Sequence, residues 1–189
     1  MKNFLAAVVI IIAMFTVYLA YHGLFAGVEI TEKTMGPHVF AYDTHIGPYK
    51  DSGEVADRIY RELLKEKVEA TRGFGIYYDK PEEVEAEKLR SIAGCLLDEK
   101  HLKEVPRLEK KMKIGELPRG KYIYAEFPFK GKMSMILGIF KVYPQMGEYL
   151  KEKGYGGSPA MEIYDVPNKR LYYLMSVTDQ NSTYEGFLK

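Results

Sequence analysis

The sequence predicts an α+β fold: two duplicated βαββ halves forming a pseudo-twofold antiparallel sheet with helices on one face, preceded by one N-terminal transmembrane helix. Three observations predict it. The first is an internal repeat. A strand-like segment and an amphipathic helix lead into Phe74-Gly-Ile-Tyr-Tyr-Asp-Lys-Pro81, and the same pair of elements later leads into Met161-Glu-Ile-Tyr-Asp-Val-Pro167. Each copy ends in Ile-Tyr with Asp and Pro after it, and one more strand follows. The second is periodicity, with alternating segments rich in β-branched and aromatic residues set between helical patterns. The third is the apolar run 4–21, which has no charge. As a helix it would span ~27 Å, close to a bilayer core of ~30 Å.

The elements follow in order. Residues 23–27 read as a short linker and 28–33 as a first strand, with Met35-Gly-Pro37 as a turn. Residues 38–46 read as a second strand, closed by Gly47-Pro48. Asp51, with Glu54 three residues on, resembles a capping box, and Val55, Ile59 and Leu63 recur at helical spacing as far as Lys67. Strands at 72–79 and 88–98 complete the first half. The charged stretch 99–111 bridges the halves. Strands at 112–117 and 122–127 open the second. A helix at 132–143, interrupted at Pro144 and resumed through Leu150, precedes a hairpin of 159–166 and 170–177. The domain plan is an anchor and linker at 1–27, one domain at 28–177 with halves 28–98 and 112–177, and a short polar tail at 178–189.

Composition narrows the function. The chain has 189 residues with Lys+Arg 27 and Asp+Glu 26, so no net field steers it to nucleic acid. Its single cysteine, Cys95, allows no intramolecular disulfide and reads as a core thiol. His38 and His45 are seven apart on one strand and face opposite ways, so no metal site is expected. No phosphate loop or nucleophile elbow is present. Asn181-Ser-Thr183 is a glycosylation sequon in a secretory lumen. Met133, Met135, Ile136 and Phe140 read as a core-packing helix face. For the apolar run, a retained anchor is favoured over a cleaved signal peptide, because the run is long and Tyr18 spoils the cleavage site at Ala20. Lys2 before it and Lys33 after it leave the side of the soluble domain open.

The repeat breaks at one position: Gly75 in the first copy aligns with Glu162 in the second. Strand alternation puts Phe74, Ile76, Met161 and Ile163 on faces expected to lie under the helices. It puts Glu162, Tyr164 and Tyr77 together on the opposite side, with Gly75 leaving room for the carboxylate. Two readings of Glu162 stand: a pocket carboxylate among tyrosines, suited to a cation, or an exposed strand residue paired with Lys169 or Arg170.

The duplication, with His45-Ile-Gly-Pro-Tyr49 and Pro159-Ala-Met-Glu-Ile-Tyr164, resembles the GyrI-like small-molecule-binding domain family over nearly all of the soluble part. Ile76-Tyr-Tyr-Asp-Lys-Pro81, Phe127-Pro-Phe129, Tyr143-Pro144 and Glu162-Ile-Tyr164 are similar to segments of its membrane-anchored, testis-expressed ER-phagy-receptor type. The resemblance implies that Glu162 sits in a pocket between the halves and pairs with cationic, often aromatic ligands, and that Tyr49 and Tyr164 match pocket aromatics. Two departures matter. No DNA-binding module precedes the domain, which argues against a transcription regulator. No long acidic tail follows, and Tyr184-Glu-Gly-Phe187 lacks the aromatic-x-x-aliphatic spacing of an autophagy motif, so the ER-phagy role does not carry over.

The expected ligand-binding set is therefore Glu162, Tyr164, Tyr49 and Tyr77, with no cofactor. The expected partners are a small, amphipathic or cationic organic ligand and a lipid bilayer through residues 4–21. Two alternatives remain: a hydrolase of reactive electrophilic compounds using Glu162 as general base, as some GyrI-like relatives do, and a membrane interaction scaffold.

Overall fold

A computed structural model describes residues 1–177 and 181–189. The side chains of Asn181 and Ser182, within the sequon, lie outside the described set, as does 178–180 of the expected tail.

Helix α1 (Lys2–Tyr21) has a mean hydropathy of 2.5 over its most apolar stretch and buries none of that stretch against the protein. Eight strands follow: β1 (Thr31–Met35), β2 (His38–Ile46), β3 (Arg72–Tyr77), β4 (Arg90–Leu96), β5 (Lys113–Leu117), β6 (Gly120–Pro128), β7 (Ala160–Asp165) and β8 (Arg170–Ser176). Helix α2 (Ser52–Lys65) joins β2 to β3, and α4 (Lys132–Lys153) joins β6 to β7. The bridge holds a 3-10 turn and the short α3 (Val105–Leu108), and α5 (Asn181–Gly186) ends the chain.

All eight strands form one antiparallel, curled sheet in the order β1-β6-β8-β7-β3-β4-β2-β5. Exchanging each strand with its counterpart in the other half (β1 with β5, β2 with β6, β3 with β7, β4 with β8) reproduces this order reversed. The sheet therefore has the pseudo-twofold symmetry that the repeat predicts. The axis passes between β3 and β7, where Gly75 pairs with Glu162, Phe74 with Ile163 and Ile76 with Met161. The two residues that the repeat aligns are thus direct neighbours on the axis. The halves also interlock: β1 pairs with β6 of the second half, and β5 pairs with β2 of the first.

Both helices pack on one face. Ile59 and Leu63 of α2 meet Ala41 and Cys95, and Val142 and Met146 of α4 meet Ile123, Ala125 and Leu171. The apolar faces of β3 and β7 do not lie under these helices, contrary to the expectation from alternation. Phe74, Ile76, Met161 and Ile163 instead form a core on the sheet's other face with Phe40, Tyr122 and Leu174. Tyr184 and Phe187, from the segment read as a polar tail, close that core and are buried in it. The Tyr78 hydroxyl donates to the Tyr184 carbonyl at 2.8 Å, and the Phe187 ring lies 5.2 Å from Phe40. Two aromatic residues among polar ones give no periodic signal, so alternation alone assigns the sheet's apolar face to the helices.

Smaller differences have local causes. The first strand begins at Thr31, because only 31–35 meets its β6 partners. No side-chain bond from Asp51 caps α2; the Ser52 hydroxyl donates to the Tyr49 carbonyl instead. Helix α4 runs through Pro144, although the proline lacks the N–H that would bond to the Phe140 carbonyl. Residues 23–27, expected as a short linker, are tied to α4: Lys141 Nζ donates to the carbonyls of Leu24 and Ala26 at 2.7 and 2.6 Å.

Candidate functional site

The site lies on the helix-bearing face at the pseudo-twofold axis. Glu162, in the middle of β7, is 4% exposed. It is not the surface residue paired with Lys169 or Arg170. Tyr143 reaches it from α4 and donates its hydroxyl to Oε1 at 2.6 Å. Tyr164, two residues along β7 on the same face, donates to Oε2 at 2.6 Å. Tyr77, the counterpart of Tyr164 in the repeat, lies 2.9 Å from it, hydroxyl to hydroxyl. The Tyr164 proton is already directed to the carboxylate, so Tyr77 is the donor in that pair.

The room that Gly75 leaves is used by the Tyr77 ring. A Cβ on Gly75 would sit 2.7 Å from the Tyr77 hydroxyl. Tyr49 supports the cluster one ring further out, 4.8 Å from Tyr77 between ring centroids. Its hydroxyl accepts from the Asp79 amide at 2.8 Å and donates to the backbone beside it. Of the four expected residues, Glu162, Tyr164 and Tyr77 are linked by hydrogen bonds, and Tyr49 joins them through ring packing. Tyrosine rings fill the seam between the halves. A surface cleft of about 440 Å³, lined by Lys65, Glu66, Lys67, Glu104, Arg107 and Lys111, shares no residue with this cluster.

Electrostatics make Glu162 unusual. Burial pushes its carboxyl above the usual carboxylate range, while the Tyr143 and Tyr164 hydroxyls pull it back. Burial, then the nearby Glu162 charge, push the hydroxyls of Tyr143, Tyr164 and Tyr77 up, so all three stay protonated donors at neutral pH. Among the described residues, no lysine or arginine forms an ion pair with Glu162. Buried carboxylates are normally paired. This one has only neutral donors, each worth less than a cation.

Sequence reasoning missed Tyr143, the second donor to Glu162. It lies on α4, five residues from Gly138, and a Cβ on Gly138 would sit 2.2 Å from the Tyr173 hydroxyl. That close approach brings α4 onto the sheet near the axis. Helical periodicity could show that Tyr143 leaves the stripe of Gly138, Val142 and Met146, but not which strand it meets.

A sequence profile of the GyrI-like small molecule binding domain matches residues 28–173. The chain belongs to the GyrI-like family. Two curated relatives are similar to it: testis-expressed protein 264 of Homo sapiens, 26% identical over 180 residues, and its homolog of Mus musculus, 26% identical over 175. These alignments cover 91% and 88% of this chain but 55% and 54% of the relatives, so the chain spans about half the length of the curated relatives it matches. Solved structures share the fold. The EcmrR C-terminal domain superposes with a TM-score of 0.54 at 11% identity, over 79% of this chain and 96% of that one. EcmrR in its DNA complex gives 0.55 at 10% identity, over 93% and 67%. SAV2435 bound to tetraphenylphosphonium gives 0.51 at 11% identity, over 83% and 98%.

Proposed function

We propose that this GyrI-like chain is a membrane-anchored binding protein for amphipathic organic cations, which enter the seam between the halves and pair with Glu162. The observation that carries this reading is the Glu162 carboxylate, buried at the axis with tyrosine hydroxyls and no cation as its partners among the described residues. A cation brought to Glu162 would supply the missing charge, and the faces of Tyr77, Tyr164 and Tyr143 would add cation–π attraction of about 0.5–2 kcal/mol each. The tetraphenylphosphonium held by SAV2435 supports an aromatic cation as the ligand class. Entry requires the rings that fill the seam to turn aside, which tyrosine can do about two side-chain torsions. A scaffold with a disused pocket would gain by replacing a buried, unpaired carboxylate with an apolar side chain. Glu162 instead sits in a chain of three tyrosine hydroxyls, which favours the binding reading.

The test is calorimetry on the detergent-solubilised full chain with tetraphenylphosphonium and a neutral aromatic analogue of similar size. Glu162→Gln keeps the shape and removes the charge. Loss of a charge-assisted contact of about 1.5–3 kcal/mol lowers cation affinity about 10–100-fold, with little change for the neutral analogue. Equal losses for both would make Glu162 structural, and no cation binding by wild type would sink the proposal. Turnover of an electrophilic ligand by wild type, abolished in Glu162→Gln, would replace it with the hydrolase reading.

A further inference from the structure

Helix α4 turns an apolar face to solvent. Its buried side is Ser134, Gly138, Val142 and Met146. Ile136 and Phe140, one turn apart on the other side, are 47% and 74% exposed. Helical spacing alone assigns this face to core packing, and the exposure of Phe140 is at odds with that. The foot of α1 is fixed against the first half of the same helix. Lys130 Nζ lies 4.2 Å from the centre of the Tyr21 ring. His22 Nδ1 is 3.3 Å from the Ser134 hydroxyl. Lys141 holds the carbonyls of Leu24 and Ala26, and Phe25 between them is 75% exposed.

Charge follows the same geography. No Asp or Glu precedes Glu29, and none lies between Glu126 and Glu148, a stretch that contains Lys130, Lys132 and Lys141. The first turn of α4 also has no acidic residue.

We propose that Phe25 and the Ile136–Phe140 face of α4 rest in the headgroup layer of the bilayer that α1 enters, with Lys130 and Lys132 facing anionic lipid headgroups. The proposal rests on the reading of α1 as a membrane anchor. Aromatic and aliphatic side chains on an interfacial helix sink about 5–10 Å into the headgroup boundary. Lysine stems lie along the apolar surface with their ammonium groups at the phosphates. The contacts at residues 21–26 hold this face beside the point where α1 leaves the domain, so the anchor delivers it to the membrane surface.

The chain contains no tryptophan, so one introduced residue is a unique reporter. Full-length Phe140→Trp, Phe15→Trp and Ile46→Trp are reconstituted into vesicles of phosphatidylcholine and phosphatidylserine, with lipids brominated at defined depths. Phe15→Trp, within α1, is expected to be quenched by deep bromines. Phe140→Trp is expected to be quenched by shallow bromines and shielded from iodide. Ile46→Trp, at the end of β2 in the other half, is expected to remain open to iodide. Quenching of Phe140→Trp should weaken when phosphatidylserine is omitted, and no change there would overturn the role given to the lysines. Deep quenching at Phe15→Trp with iodide access at Phe140→Trp would overturn the proposal and leave the anchor intact. Absence of quenching at Phe15→Trp would remove both. Shielding of Phe140→Trp from iodide without bromine quenching would mean that another copy of the chain covers the face, which also overturns it.

Discussion

At the residue scale, Glu162 is the group on which the proposed binding and the pH dependence of stability both rest. Burial raises its carboxyl above its unfolded value, which fixes the sign of its effect on stability. Below the unfolded carboxylate value both states are protonated and the residue costs nothing. As pH rises, the unfolded chain ionises first, and stability falls until the folded carboxyl ionises too. Glu162→Gln removes this dependence. The melting temperature of the variant minus that of wild type should therefore grow between pH 4 and pH 8 in the absence of a cation, by about 2–4 °C for each kcal/mol involved. Calorimetric melts of the full chain in detergent across that range check it. A difference that shrinks with pH would mean that the Tyr143 and Tyr164 hydrogen bonds outweigh desolvation. Strand alternation and the repeat were enough to place Glu162, Tyr164 and Tyr77 on one face. They could not show that the Tyr77 ring occupies the space over Gly75, since a glycine reports only a missing side chain. Nor could they show Tyr143, whose contact depends on how α4 crosses the sheet.

At the element scale, two packing sites should be costly to disturb. The first is the pairing of β2 with β4, where a Cβ on Gly94 would lie 2.0 Å from the Ala41 carbonyl oxygen and 2.8 Å from the Tyr42 Cα. Backbone cannot move aside as a side-chain tip can. Gly94→Ala should cost about 3 kcal/mol, the upper end of overpacking effects. The second is the C-terminal segment. Phe187→Ala removes a ring packed on Phe40 and Tyr42 and should cost about 3 kcal/mol. Phe140→Ala, on the exposed face of α4, should stay within about 0.5 kcal/mol. Chemical denaturation of the detergent-solubilised chain measures all three, and a Phe187→Ala variant as stable as wild type would show that the tail merely rests on the core. Strands and helices were legible here because their periods run over many residues. The lid on the core of the sheet's other face was not, because it rests on two isolated aromatic side chains.

At the scale of the whole molecule, the repeat, the strand order and the α1 contacts bear on one question: whether α1 stays with the domain. Each half places its first strand in the other, so the sheet is a single cooperative body. The chain just after α1 is joined to that body rather than hanging from it. A Cβ on Gly23 would meet the Phe127 ring at 2.8 Å, His22 is buried, and Lys141 bonds to two carbonyls between 24 and 26. A segment removed by signal peptidase after Ala26 would take these contacts with it and uncover Phe127 and Ser134, which are otherwise buried, whereas a cut after Ala20 would leave them in place. Packing therefore argues against the cut after Ala26, while the length of the run and Tyr18 are what argue against the cut after Ala20. The chain should sediment with membranes, resist alkaline carbonate extraction and keep residues 1–27 by mass spectrometry. Recovery of a soluble chain beginning at Tyr21 or Gly27 would instead identify α1 as a signal sequence. The proposed cation site at Glu162 could survive that outcome, whereas the proposed bilayer contact of α4 could not.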